Sequence, residues 1–222
     1  MEKEPVEAVE EEQEVLLTAE LVKDLVELLG NNSIEVRHGT ISAILQYTPT
    51  PEARNMFKDT SLMTLLRKYL FLPQLSRICL STLIHFASDP DWLPEYFKLI
   101  EPLVLKMKEW KGLELELSLL LLLNISKDEE VIARLIGEED KRGYLMEVLY
   151  ALLENEEKLR WIVVGIFVNL SAIERGRRFL VEDSICIRFI QYLSSFNEKL
   201  REVSLKIMRN CAFEWEYEPF AV

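Results

Sequence analysis

The side chains of this chain that combine hydrogen-bonding chemistry with a fixed spacing are carboxamides. Asn124, Asn169 and Asn210 each close an apolar stretch, in LLLLLNIS at 119 to 126, GIFVNLS at 165 to 171 and KIMRNCA at 206 to 212. Gln46 and Phe86 fall in the same column, with successive spacings of 40, 38, 45 and 41 residues by subtraction. Nine residues upstream of each stand Arg37, Arg77, Leu115, Arg160 and Arg201. A carboxamide offers both a donor and an acceptor, so it can pair with the alternating N–H and C=O groups of an extended peptide. Equally, it can cap the carbonyls that end its own helix. Phe86 can do neither.

Residues for catalysis do not assemble in the same way. His38 and His85, the only histidines, belong to different repeats and helical phases, so they do not converge on one metal or one triad. The seven glycines form no phosphate-cradling motif. Asp89 with Asp91, and Glu138 with Glu139, read as solvated carboxylates of connecting segments. No catalytic residue, metal ligand or cofactor is expected. Cys79, Cys186 and Cys211 are odd in number, widely separated and set in apolar runs, which reads as buried reduced thiols.

The elements that carry the carboxamides are helical. A period near 40 residues is that of two- and three-helix solenoid repeats, and a content of 49% apolar residues supports a folded core. Few glycines and prolines argue against the many tight turns of an all-β fold. The fold expected is all-α: an armadillo/HEAT-like right-handed α-solenoid of about five helical repeats over residues 16–222, preceded by an acidic disordered tail at 1–15. Unit one reads as LVKDLVELL, a turn with Asn31, Asn32 and Ser33 as turn and N-cap residues, then IEVRHGTISAILQY. Segments between units, such as TPEARNMFKD and KDEEVIARLIG, predict a short first helix, so three helices per unit. The last helix of each unit is apolar nearly all round, as expected when it is sandwiched between neighbours.

Charge is uneven. The net value is −12, and residues 1–14 hold seven Glu and one Lys. From Lys158 to Asn210 ten bases face five acids. That stretch is either ordinary solvated helix surface or a basic groove section suited to an acidic protein segment. The remaining negative field argues against nucleic acid. No run approaches a membrane span and the opening lacks the pattern of a signal peptide, so a cytoplasmic, monomeric protein is expected. Trp161, about 80° from Asn169 around a helix, is a groove anchor or an inter-unit core residue. The candidate partner-binding set is Asn124, Trp161, Asn169, Lys206, Arg209 and Asn210. Trp215 and Phe220 are expected to fold back with 214–222 over the last unit.

Three stretches also carry a resemblance: EVRHGTISAILQYTPTPEARNMFKD at 35 to 59, VGIFVNLSAIERGRRFLVED at 164 to 183 and MRNCAFE at 208 to 214. These are similar to the Hgh-type armadillo-like chaperones, in consistent order over roughly residues 20 to 214. The resemblance implies a co-chaperone that captures a protein client, translation elongation factor two, together with the chaperonin TRiC. It implies too that the last helix of each unit lines a concave groove. The chain departs from the family at CAFEWEYEPFAV, which lacks the family's His, and in lacking its further helical units. A second reading is a scaffold that docks a partner or second copy through its apolar C-terminal end.

Overall fold

The computed structural model describes residues 16–137 and 143–215. The expected tail at 1–15 and the expected cover by the side chains of Trp215 and Phe220 lie outside what the structure describes. Every regular element among the described residues is helical. Unit one comprises α1 (Ala19–Leu29) and α2 (Ile34–Tyr47); unit two α3 (Pro51–Met56), α4 (Leu62–Tyr69) and α5 (Ser76–Phe86). Unit three runs through a 3-10 segment, Pro90–Tyr96, into α6 (Ile100–Lys106) and α7 (Gly112–Ile125). Unit four is α8 (Glu129–Ile136), α9 (Tyr144–Asn155) and α10 (Arg160–Ala172). Unit five is α11 (Glu174–Glu182), α12 (Ile185–Arg188) continued by the 3-10 segment Phe189–Ser194, and α13 (Glu198–Trp215). Three helices per unit hold from unit two onward. Unit three opens on a 3-10 segment because Pro94 has no N–H for an α-helical bond.

Local chemistry sets the boundaries. Ser33 Oγ accepts from Val36 N at 3.2 Å and Asn31 Oδ1 accepts from Ser33 N at 2.8 Å, so the polar turn both reverses the chain and caps α2. Asp128 Oδ1 accepts from Glu130 N and Val131 N to start α8, and Asn197 Oδ1 accepts from Leu200 N to start α13. Pro51 occupies the first turn of α3, where an N–H has no intrahelical partner.

The last helices α2, α5, α7, α10 and α13 stack one on the next. One continuous apolar core runs from Val22 to Cys211 through all five units. In units four and five the upstream arginine ties the last helix to the segment before it. Arg160 Nε donates to Leu153 O at 2.9 Å, and Arg201 Nη1 donates to Ser195 O at 2.6 Å. Arg77 instead holds Glu114 of the next unit through two bonds, at 2.7 and 3.2 Å, and Arg37 stacks over Tyr69 at 4.5 Å.

Candidate functional site: the carboxamide row

The column of carboxamides lies along the stack of last helices, but its members are not equivalent. Asn169 Nδ2, on α10, donates to Ser126 Oγ at 2.9 Å and to Leu123 O at 3.0 Å, both at the end of α7. Asn210 Nδ2, on α13, donates to Ser171 Oγ at 3.0 Å at the end of α10. Each amide therefore caps the preceding unit's last helix, where the sequence offered only its own helix or a ligand. Because the Leu123 carbonyl can only accept, the amide nitrogen must face it, and this orients the Asn169 Oδ1 atom away.

The receiving hydroxyls form a matching series two residues after the column. Ser126 Oγ donates to Leu123 O, Ser171 Oγ to Val168 O and Thr48 Oγ1 to Leu45 O, each three residues back along its own helix. With its one proton so committed, such an oxygen is left as an acceptor toward the next unit. Between units one and two the donor is not Phe86, which is buried in the core, but His85, whose Nδ1 lies 2.8 Å from Thr48 Oγ1. With the Thr48 proton on Leu45 O, the tautomer that completes this rung is the one with its proton on Nδ1. Sequence reasoning set His85 aside as structural and did not find this rung. Its signal was a polar ring one residue before a column position filled by Phe.

The series has one gap. Ser88 Oγ donates back to His85 O at 2.6 Å, as its counterparts do, yet Ser88 is exposed and no amide of unit three reaches it. Asn124, half-buried on α7, consequently has no side-chain hydrogen bond among the described residues. It keeps both its donor and its acceptor, whereas Asn169 has spent both N–H groups and retains only Oδ1.

Burial of His85, and after it the charge of Arg54, holds its pKa below the ordinary value. Above the unfolded pKa of about 6.5 neither state binds the proton. As pH falls below that value the unfolded chain protonates before the folded one, so stability declines. Melting temperatures between about pH 7.5 and 5.5 should therefore fall more for the wild type than for His85→Asn, which keeps a donor but does not titrate. Equal slopes would show that burial does not depress this imidazole.

Trp161 is exposed and carries Lys199 Nζ over its ring at 4.6 Å, which puts it on the surface and not in the inter-unit core. Lys206 pairs with Glu202 at 3.0 Å one turn away, and Arg209 is exposed without a partner among the described residues. The basic stretch is largely engaged within the fold. Arg177 binds Glu214 at 2.9 Å, Arg188 lies 3.9 Å from Glu154, and Arg160 and Arg201 hold carbonyls. The exposed pair of Arg188 with Glu154 contributes little to stability, but together these contacts remove cations from an open groove.

Two thiols that are distant in sequence come together: Cys186 and Cys211 share a side-chain hydrogen bond, and burial pushes both thiols up, Cys211 to about 12. Buried and protonated, they are poor nucleophiles. No cluster of three His, Cys, Asp or Glu residues able to hold a metal occurs among the described residues. A cavity of about 670 Å³ lies away from the carboxamide row, between α6 and α8 and α9, lined by Phe97, Glu101, Arg134 and Tyr144. No helix among the described residues is long and apolar enough to cross a membrane.

No family model matches the chain, and no curated protein does. Solved structures do. A designed armadillo repeat protein superposes with a TM-score of 0.74 at 18% identity, covering 86% of this chain and 82% of its own. A second, in complex with the peptide (KR)4, gives 0.69 at 16% identity with coverages of 86% and 82%. A chain from a structure of the phosphorylation switch between cadherin and beta-catenin gives 0.69 at 15% identity, covering 90% of this chain and 38% of that one. The chain has an armadillo-type all-α solenoid fold.

Proposed function

We propose that the chain is a non-enzymatic binding protein that holds an extended segment of a protein partner along its row of last helices, with Asn124 as the principal reader of the partner's backbone. The observation that carries this reading is the half-buried carboxamide of Asn124, which has no side-chain hydrogen bond among the described residues while Asn169 and Asn210 on the helices after it are engaged; Gln46 is also unengaged, but it is exposed on unit one. Asn169 contributes its remaining Oδ1, Asn210 its Oδ1 and one N–H, and Trp161 a ring face. Lys206 and Arg209 favour acidic side chains at the unit-five end. The designed armadillo protein in complex with (KR)4 supports the mode, an extended peptide on this fold, and not the charge.

The sequence resemblance supports the finer reading of a cytoplasmic co-chaperone whose client is translation elongation factor two, acting with the chaperonin. Titration calorimetry with purified elongation factor two tests it. Asn124→Ala should weaken binding about fivefold, near 1 kcal/mol, while leaving the melting temperature unchanged. Asn169→Ala, which removes one binding oxygen as well, should lower the melting temperature too. It leaves Ser126 Oγ and Leu123 O without their donor and costs about 1 to 2 kcal/mol of stability. Absence of binding by the wild type would sink the client, and full affinity in Asn124→Ala would sink the site.

The alternative of a scaffold docking through its C-terminal end is favoured by a separate observation, the exposed apolar side chains of unit five. Raised salt should weaken charge-assisted groove capture and spare apolar docking.

A further inference from the structure

In a solenoid each unit buries the apolar face of the one before it. On unit five several apolar side chains are exposed instead. Shifting unit four by the 41 residues that separate Asn169 from Asn210 maps Met146, Leu149, Leu152 and Val164 onto Ile187, Ile190, Leu193 and Leu205. The first four are 0, 0, 7 and 0% exposed; their counterparts are 54, 49, 36 and 60% exposed. Side chains that are buried on unit four therefore recur, still apolar but exposed, on unit five. They form a contiguous face of α12, its 3-10 continuation and α13. Exposed patches of this kind mark interaction sites.

The opposite end of the molecule does not supply the counterpart. Gln46 occupies the column whose later members reach the preceding unit, and it is exposed with Glu35 and His38 on α2. On α2 that face is polar, which disfavours head-to-tail stacking on the apolar side chains of unit five. The charge pattern of α13 points elsewhere. Its exposed stripe reads Glu198, Glu202, Leu205, Arg209 and Ala212; Glu202 already pairs with the adjoining Lys206 at 3.0 Å, so acids stand before Leu205 and two bases after it, of which Arg209 has no partner among the described residues. A parallel neighbour would set like charges together. An antiparallel one crossing at Leu205 sets Glu202 against Arg209 twice, which is the self-complementarity that a twofold interface demands.

We propose that this face is a homodimer interface, in which a second copy of the chain docks unit five on unit five with the two α13 helices crossing antiparallel at Leu205. The apolar residues of α12 and its continuation form the core of the contact, and the two Glu202 to Arg209 pairs fix its direction. The inference departs from the monomer expected from sequence and does not rest on the carboxamide row.

Sedimentation equilibrium on the full chain tests it. The mass should rise with concentration from 26.0 kDa toward twice that value. Leu205→Glu and Ile190→Glu alter exposed positions, so the fold is expected to persist by circular dichroism while dimerisation is lost. Arg209→Glu should weaken the dimer about tenfold, and the exchange Glu202→Arg with Arg209→Glu should recover most of that loss. A mass of 26.0 kDa at every concentration overturns the proposal. So does a dimer indifferent to Leu205→Glu, or one that forms only when residues 216–222 are removed, since that segment would then be the occupant.

Discussion

Gly176→Ala should destabilise the protein by about 3 kcal/mol or more and lower its melting temperature by roughly 6 to 12 °C. Helix α11 starts one residue after α10 ends, and its first turn lies directly over the last turn of α10. A β-carbon on Gly176 would sit 2.1 Å from Leu170 O and 2.8 Å from the carbonyl carbon. These are backbone atoms that no rotamer change can move, so the two helices must separate and the packing of unit five with them. Intrinsic propensity would favour alanine in a helix by about 1 kcal/mol, too little to offset the clash. Gly39 is the control: it is exposed in mid-helix with nothing within 4 Å of its would-be β-carbon, so Gly39→Ala should gain about 0.5 to 1 kcal/mol. Comparable melting of the two variants would contradict the close approach at Leu170.

Phe167→Ala should cost about 3 to 5 kcal/mol. The ring is fully buried on α10, stacked on Tyr150 of α9 at 4.9 Å and meeting Phe189 of unit five edge-on at 5.1 Å. One side chain thus joins two helices of its own unit to the next unit, and its removal leaves a cavity between elements that cannot collapse independently. Units in such arrays are coupled only to their neighbours. Hydrogen exchange should consequently accelerate most in α13 and least in α2. Denaturant titration showing a loss under about 1 kcal/mol, or uniform loss of protection along the chain, would contradict this account.

Much of this architecture was legible in the residues. The period in the apolar runs marks the five last helices because burial on all sides demands apolar residues on all sides. Ser33 and Asn31 announced their turn because their chemistry is local. The destinations of the carboxamides were not legible, since a column gives helical phase but not the neighbour that phase meets. Asn169 finds Ser126, 43 residues away, only once the units have stacked. The His85 rung was hidden by the same limitation: the column pointed to Phe86, and only packing shows that Phe86 turns to the core while the preceding ring reaches out. Trp161 was ambiguous for want of Lys199, and Cys186 with Cys211 looked isolated because their contact depends on α12 folding against α13. The apolar stripe of unit five could be read, but its exposure could not.

The rungs also act as a ruler on how the chain tolerates length changes. An arginine tied to the preceding helix end and an amide tied to the preceding unit clamp the last helix at both ends, nine residues apart in Arg160 with Asn169 and in Arg201 with Asn210. An insertion between them would rotate one clamp by about 100° and break it. In the links between units, by contrast, added residues displace neither clamp, and there the spacing already varies from 38 to 45. Unit two reaches the preceding unit from one residue earlier in its helix, because the imidazole of His85 is longer than a carboxamide and meets the Thr48 hydroxyl from that position.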